Sequence, residues 1–165
     1  MRFSRLLLWP VAGFLCGSVA LASDLSFKPY VNERFATQAD VPADFVADPP
    51  PVNNDGRRFR GSDGGTVTVY AIRNKDPDGL KGYRAFLKST LKSEGWDVTY
   101  EAGEDNWFVF SGTRGANVLY HRGEQPKGCD GKMIHQIEFQ YPAAEALFWK
   151  PIVEQGADSL DGPCR

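Results

Sequence analysis

Residues 106–123, NWFVFSGTRGANVLYHRG, hold the choice on which the fold turns. Two runs rich in aromatic and branched side chains flank Ser111-Gly112-Thr113-Arg114-Gly115. A glycine-flanked arginine is either a loop that grips an anion or the bend between two strands. A phosphate-cradling loop presents its backbone N–H groups at the start of a helix, and here strand-type sequence follows. The segment therefore reads as a β-hairpin, with Gly112 and Gly115 chosen for backbone geometry. Arg114 sits at its tip, where an anion or a partner would meet it. WFVF is apolar on both faces, which predicts a central strand covered on both sides.

Downstream, KMIHQIEFQY (132–141) alternates Met133, His135, Ile137, Phe139 and Tyr141 with Gln136, Glu138 and Gln140, the pattern of a half-solvated strand. Pro142 is expected to open the last helix at its first position. Ala144, Phe148, Ile152 and Leu160 mark the apolar stripe of that helix, and Pro151 kinks or restarts it. Upstream, WDVTYEA (96–102) reads as a strand. Before it, Leu80, Tyr83, Leu87 and Leu91 repeat at helical spacing. Asp76 or Asp78 is available as the N-cap of this helix and Gly95 as its left-handed stop. Lys81, Arg84, Lys88 and Lys92 line a neighbouring face.

RRFR (57–60), GSDGG (61–65) and TVTVYAI (66–72) form another hairpin. Residues 23–56 are an extended N-terminal segment, stiffened by Pro42 and Pro49-Pro50-Pro51. RFATQADVP (34–42) is expected to be a first strand near a sheet edge, and NNDG (53–56) a turn. The order of strands, helix, four strands and helix implies an α+β architecture, an antiparallel sheet sandwiched by helices. Residues 23–165 form one domain with its core in 57–165.

The chain begins with Arg2 and Arg5, an apolar run from Leu6 to about Val19, and Ala20-Leu21-Ala22. A charged start, a short apolar stretch and a small-x-small ending specify a secretory signal peptide, residues 1–22. An uncleaved anchor would want about 20 uninterrupted apolar residues, and Pro10 interrupts this shorter run. Phe14-Leu15 ahead of Cys16 lacks the small residues of a lipidation site. Two of the 19 basic residues and none of the 21 acidic ones fall in the leader, so the remainder carries a net charge of −4. A mildly acidic domain exerts no overall pull on nucleic acid or anionic lipid. Its expected location is periplasmic or secreted, not integral to a membrane.

Cys129 and Cys164 remain after the leader. In an oxidising compartment such a pair forms a disulfide more often than a metal or catalytic site. Closing a loop of about 36 residues stabilises by about 3–4 kcal/mol in the chain-entropy description.

These segments together resemble the PsbP-like fold, an antiparallel sheet between helices found in small exported or lumenal proteins. ERFATQADVPADF (33–45) matches a first strand and proline turn, and RRFRGSDGGTVTVYA (57–71) the hairpin entering the sheet. HQIEFQYPAAEALFWKPIVEQGADSL (135–160) matches the last strand running into a terminal helix. PPPVNNDGRRFRGSDGG (49–65) and WFVFSGTRGANVLYHRG (107–123) also look like small exported alphaproteobacterial proteins of no settled activity. The resemblance implies accessory and binding roles, and no catalytic residue transfers from it.

Chemistry-bearing patterns are sparse. Only His121 and His135 are present, without G-x-S-x-G or H-E-x-x-H. His135 lies among apolar neighbours as a core histidine. His121 has the option of pairing with a nearby carboxylate, but no nucleophile is evident. Asn74-x-Asp76-x-Asp78-Gly79 mimics half a calcium loop, yet its twelfth position is Ala85 where a glutamate is required. Neither a metal nor a cofactor is assigned. The candidate binding residues are Arg57, Arg58, Arg60, Arg114, Lys81, Arg84 and Lys88, basic patches able to meet a carboxylate or phosphate. The alternative for each is a solvated face or a charged edge that resists aggregation. The expected function is an exported, non-enzymatic binding or accessory protein of the bacterial envelope, acting on an unknown envelope protein or small ligand. Alternatives are a binder of small amphiphiles, lipid or cell-wall fragment, and an envelope hydrolase.

Overall fold

The computed structural model describes residues 25–164. The proposed leader 1–22 lies outside the described residues. Strands β1 (Phe27–Val31) and β2 (Gln38–Pro42) pair as an antiparallel hairpin of their own. A seven-stranded antiparallel sheet follows, built from β3 (Val46–Ala47), β4 (Gly56–Arg60), β5 (Thr66–Arg73), β6 (Asp97–Gly103), β7 (Trp107–Arg114), β8 (Asn117–Glu124) and β9 (Met133–Pro142). The spatial order is β3-β4-β5-β9-β8-β7-β6. Helix α1 (Gly79–Ser93) connects β5 to β6, and α2 (Ala146–Asp158) follows β9 after a 3₁₀ turn at Ala143–Glu145.

The two helices cover opposite faces and opposite halves of the sheet. Leu80, Tyr83, Leu87 and Leu91 of α1 are all buried, as their spacing predicts, against Phe108, Phe110, Leu119 and Ile134. On the other face, Trp149, Ile152 and Ala157 of α2 join Ala39 and Val41 of the β1–β2 hairpin. They seal Phe59, Val67, Val69, Ile137 and Phe139. The face that carries α1 is therefore left uncovered over β4 and β5, and Arg58, Arg60, Thr66 and Thr68 stand there.

Gly95 ends α1 as expected. At φ +86° its N–H bonds the Lys92 carbonyl, and the Trp96 N–H reaches back to Leu91 at 2.9 Å. This is a Schellman closure, with Trp96 and Leu91 in apolar contact. Asp78 occupies the N-cap position but makes no side-chain cap bond. The Asn74 and Asp76 side chains accept the N–H groups of Asp76 and Asp78 instead, a pair of local turns rather than a cation loop.

Four expectations are corrected. β7 lies next to the sheet edge, and the central strand is β9. β9 is not half-solvated: Gln136 is fully buried, because α1 covers the face that its alternation marks as polar. The first strand near the prolines begins at Gln38, not at Arg34, since Asn32 captures the N–H groups of Phe35 and Ala36 in a turn. β1, upstream of it, has no counterpart in the sequence reading, so residues 23–56 carry more strand than an extended segment.

The last helix is the fourth. Pro142 ends β9 in an extended conformation, φ −61° and ψ 133°, and α2 begins at Ala146. The buried stripe is Trp149, Ile152, Gly156 and Ala157, while Ala144 and Phe148 are exposed. Trp149 sets the phase, since burying that ring outweighs burying Phe148. The helix runs through Pro151, which faces solvent. The carbonyl its ring leaves without a partner belongs to Leu147, which is 91% exposed and open to water.

Candidate functional site

Strand register assembles a polar row across the uncovered face. Arg58 of β4 lies opposite Thr68 of β5, Thr68 opposite Glu138 of β9, and Glu138 opposite His121 of β8. The next row brings Tyr70 opposite Gln136. The inner ends of both rows pass under α1 and form a buried network. Gln136 Oε1 accepts from the Tyr83 hydroxyl at 2.9 Å and from the Tyr70 hydroxyl at 3.3 Å. His121 Nε2 stands 3.0 Å from the same oxygen, and its Nδ1 lies 3.3 Å from Glu138 Oε2. Glu138 Oε1 accepts from Gln140 at 2.7 Å.

Burial sets the electrostatics. It pushes the Tyr70 hydroxyl well above its ordinary range, and that of Tyr83 upward too, so both remain protonated. Burial also raises the Glu138 carboxyl, but His121, Gln140 and Arg58 outweigh it and hold the group below the usual carboxylate value. Glu138 is thus an ionised carboxylate at the edge of the network.

The outer ends of the rows floor an open groove of about 440 Å³, within the size range of small-molecule sites. Asp48, Pro49 and Pro51 form one wall, and Arg58, Thr68, Tyr70 and Glu138 the floor and the other side. A smaller hollow of about 280 Å³ adjoins it across Arg58, reaching Arg60, Thr66 and Gln140.

The structure disperses the basic candidates. Arg60 grips Asp48 with two bonds of 2.7 Å, and this pairing holds the Asp48 carboxyl below its ordinary value. Arg57 donates to the Asp48 carbonyl at 2.8 Å. The Arg58 side chain is exposed and has no hydrogen-bond or ion-pair partner among the described residues. Arg84 bonds Glu101 at 2.9 Å and Lys88 pairs with the same carboxylate, so both clamp α1 to β6. Lys81 stays exposed beside a depression of about 610 Å³ at the start of α1.

Arg114 turns back from its hairpin tip. Its guanidinium lies 4.3 Å from the centre of the Trp96 ring and donates to the Glu94 carbonyl at 3.1 Å. It stabilises the negative end of α1 rather than gripping an anion.

His135 is a structural residue. It is fully buried, with Nδ1 2.9 Å from the Thr37 hydroxyl and Nε2 3.1 Å from the Pro163 carbonyl. This arrangement suits a neutral ring that accepts from Thr37 and donates to Pro163. Burial pushes its pKa below the ordinary 6.5. The unfolded chain therefore binds a proton that the folded protein refuses, and stability rises with pH across that window. The contribution is complete above about pH 6.5 and declines as pH falls below it. Melting temperatures should drop between about pH 7.5 and pH 5, and His135→Gln should flatten that dependence. An unchanged slope in the variant would contradict this assignment.

Sequence reasoning missed Gln136, Tyr70, Tyr83 and Glu138. It allowed His121 a carboxylate partner, and cross-strand register identifies that partner as Glu138.

No family model matches this chain, and no curated protein matches it by sequence. Solved structures do match by shape. The Ran-binding protein Mog1p of Saccharomyces cerevisiae superposes with a TM-score of 0.59 at 12% identity, over 83% of this chain and 95% of that one. A mutant of Mog1 gives 0.58, also at 12% identity, over 83% and 96%. The solution structure of the cyanobacterial PsbP of Synechocystis gives 0.61 at 12% identity, over 90% of this chain and 99% of that one. Identities this low carry the architecture alone. The chain has the PsbP-like fold.

Proposed function

We propose that this protein is a non-enzymatic binding or accessory protein of the bacterial envelope, with the groove beside Arg58 as its ligand site. The observation that carries the reading is the pairing of an open, unpartnered guanidinium with a floor whose Tyr70 and Glu138 are held by hydrogen bonds to Gln136 and Gln140. Such preorganisation lowers the ordering cost of binding. Export is supported by the leader pattern of residues 1–22. It is also supported by Cys129 and Cys164, whose sulfurs are joined with Cα atoms 5.5 Å apart, as suits an oxidising compartment. Among the described residues no helix is long and apolar enough to cross a membrane. Mog1p is named for binding Ran, so this architecture serves recognition in at least one other protein.

A hydrolase alternative built on histidine or tyrosine would need such a base with access to substrate. His121 is fully buried with both ring nitrogens beside Gln136 and Glu138, and the neighbouring tyrosine hydroxyls are pushed away from ionisation. The amphiphile alternative would need space between the sheet and α2. Trp149, Ile152, Ile137 and Phe139 pack the centre of that layer, each fully buried, and the space it leaves is a hollow of about 460 Å³ at its edge, between Tyr120 and Tyr141 of the sheet and Lys150, Val153 and Glu154 of α2.

Native mass spectrometry tests the proposal. Protein isolated from its own source without denaturation is expected to carry a small-molecule adduct, and Arg58→Gln to emerge bare. A bare wild-type protein across repeated preparations, or an adduct indifferent to Arg58, would count against it.

A further inference from the structure

The charges lining the groove do not cancel in place. Asp48 is taken by Arg60, and Arg57 is anchored on the Asp48 carbonyl. That leaves Asp55, whose carboxylate accepts from the Asn53 amide at 2.7 Å, and Arg58 and Glu138, which share the groove but make no ion pair with each other among the described residues. The register explains the separation: Thr68 stands between them, so their Cα atoms are two strand spacings apart, about 10 Å. Each Glu138 oxygen has one neighbour, Gln140 or His121, and each keeps a second lone pair for another donor.

Resting on the reading of this groove as a binding site, we infer that its ligand is a zwitterion, a free amino acid or short peptide. The ligand carboxylate meets Arg58, its ammonium group meets Glu138, and Thr68 lies between. A guanidinium suits a carboxylate through two parallel bonds. A phosphate dianion would be held beside the ionised Glu138 and repelled by it. A sugar would want an exposed aromatic face to stack on, and the single aromatic ring among the lining residues is the half-buried Tyr70.

Calorimetric titration of the purified protein tests this with glycine, L-alanine and trialanine, against acetate, methylammonium, inorganic phosphate and glucose. The zwitterions are expected to bind, and acetate and methylammonium to bind at least about tenfold more weakly. Whether glycine or trialanine binds more tightly tells a free amino acid from a peptide. Arg58→Gln should weaken zwitterion binding at least about tenfold, with Arg58→Lys intermediate. Arg58 is exposed, so an unchanged melting temperature will show that the fold is intact.

Three results would overturn the assignment: no zwitterion binding, acetate binding as tightly as glycine, or binding indifferent to Arg58. Phosphate or glucose binding that Arg58→Gln abolishes would reject the ligand class and leave the groove as the site. Binding of any probe that ignores Arg58 would reject the groove as well.

Discussion

Trp149→Ala is expected to destabilise the protein by about 3–5 kcal/mol, a large share of the stability of a domain this size. The ring is fully buried and joins four parts of the chain. It stacks on Tyr141 with centroids 5.0 Å apart and planes 4° apart, and meets Phe45 edge-on at 5.5 Å. Its Nε1 donates to Asp63 in the β4–β5 turn at 2.5 Å. Gly65 lies so close beneath that a Cβ there would stand 2.1 Å from the ring. Truncation therefore opens a cavity between Phe45, Tyr141 and Gly65 and leaves Asp63 Oδ2 without its donor. Trp149→Phe keeps most of the packing and loses the hydrogen bond, so a smaller loss of about 1–3 kcal/mol is expected. Urea unfolding measures both. A loss under about 1 kcal/mol for the alanine variant would show that α2 is not held by this ring.

Replacing Cys129 and Cys164 with serine is the second large effect. The bridge spans 35 positions in sequence, and its removal should lower stability by about 3–4 kcal/mol. The change also reaches His135. The bridge holds the last residues against the sheet, where the Pro163 carbonyl bonds the imidazole and Gly162 packs on the ring. With the terminus released, water reaches His135 and its pKa returns towards the ordinary 6.5. The serine variant should therefore be less stable at every pH and lose stability less steeply below about pH 6.5. A loss that is parallel at all pH values would separate the bridge from the histidine.

Much of this architecture is legible in local pattern. α1 is a single apolar stripe between turn residues and a glycine stop, and the strands after it alternate and are separated by glycine-rich bends. Where the pattern misled, the deciding interaction was distant in sequence. Gln136, Glu138 and Gln140 have the look of a solvated strand face. Only α1 laying Tyr83 over Gln136, and β8 bringing His121 beside Glu138, turn that face into a buried network. The start of α2 is apolar on several sides, so its stripe is ambiguous until Phe45, Tyr141 and the β4–β5 turn select Trp149. The same holds for the site. Arg57, Arg58 and Arg60 are equivalent as a basic cluster. Asp48, twelve residues from Arg60, occupies two of them and leaves the middle one free.

The uncovered shelf around Arg58, Thr68 and Glu138 is the proposed place of recognition. Residue-resolved amide spectra of the protein, recorded with and without glycine and trialanine, test this placement. Shifts are expected at residues 48–58, 66–70 and 136–140 alone, and they should disappear in Arg58→Gln. Shifts centred on α2 or on the β6 edge, or shifts that survive the substitution, would contradict it.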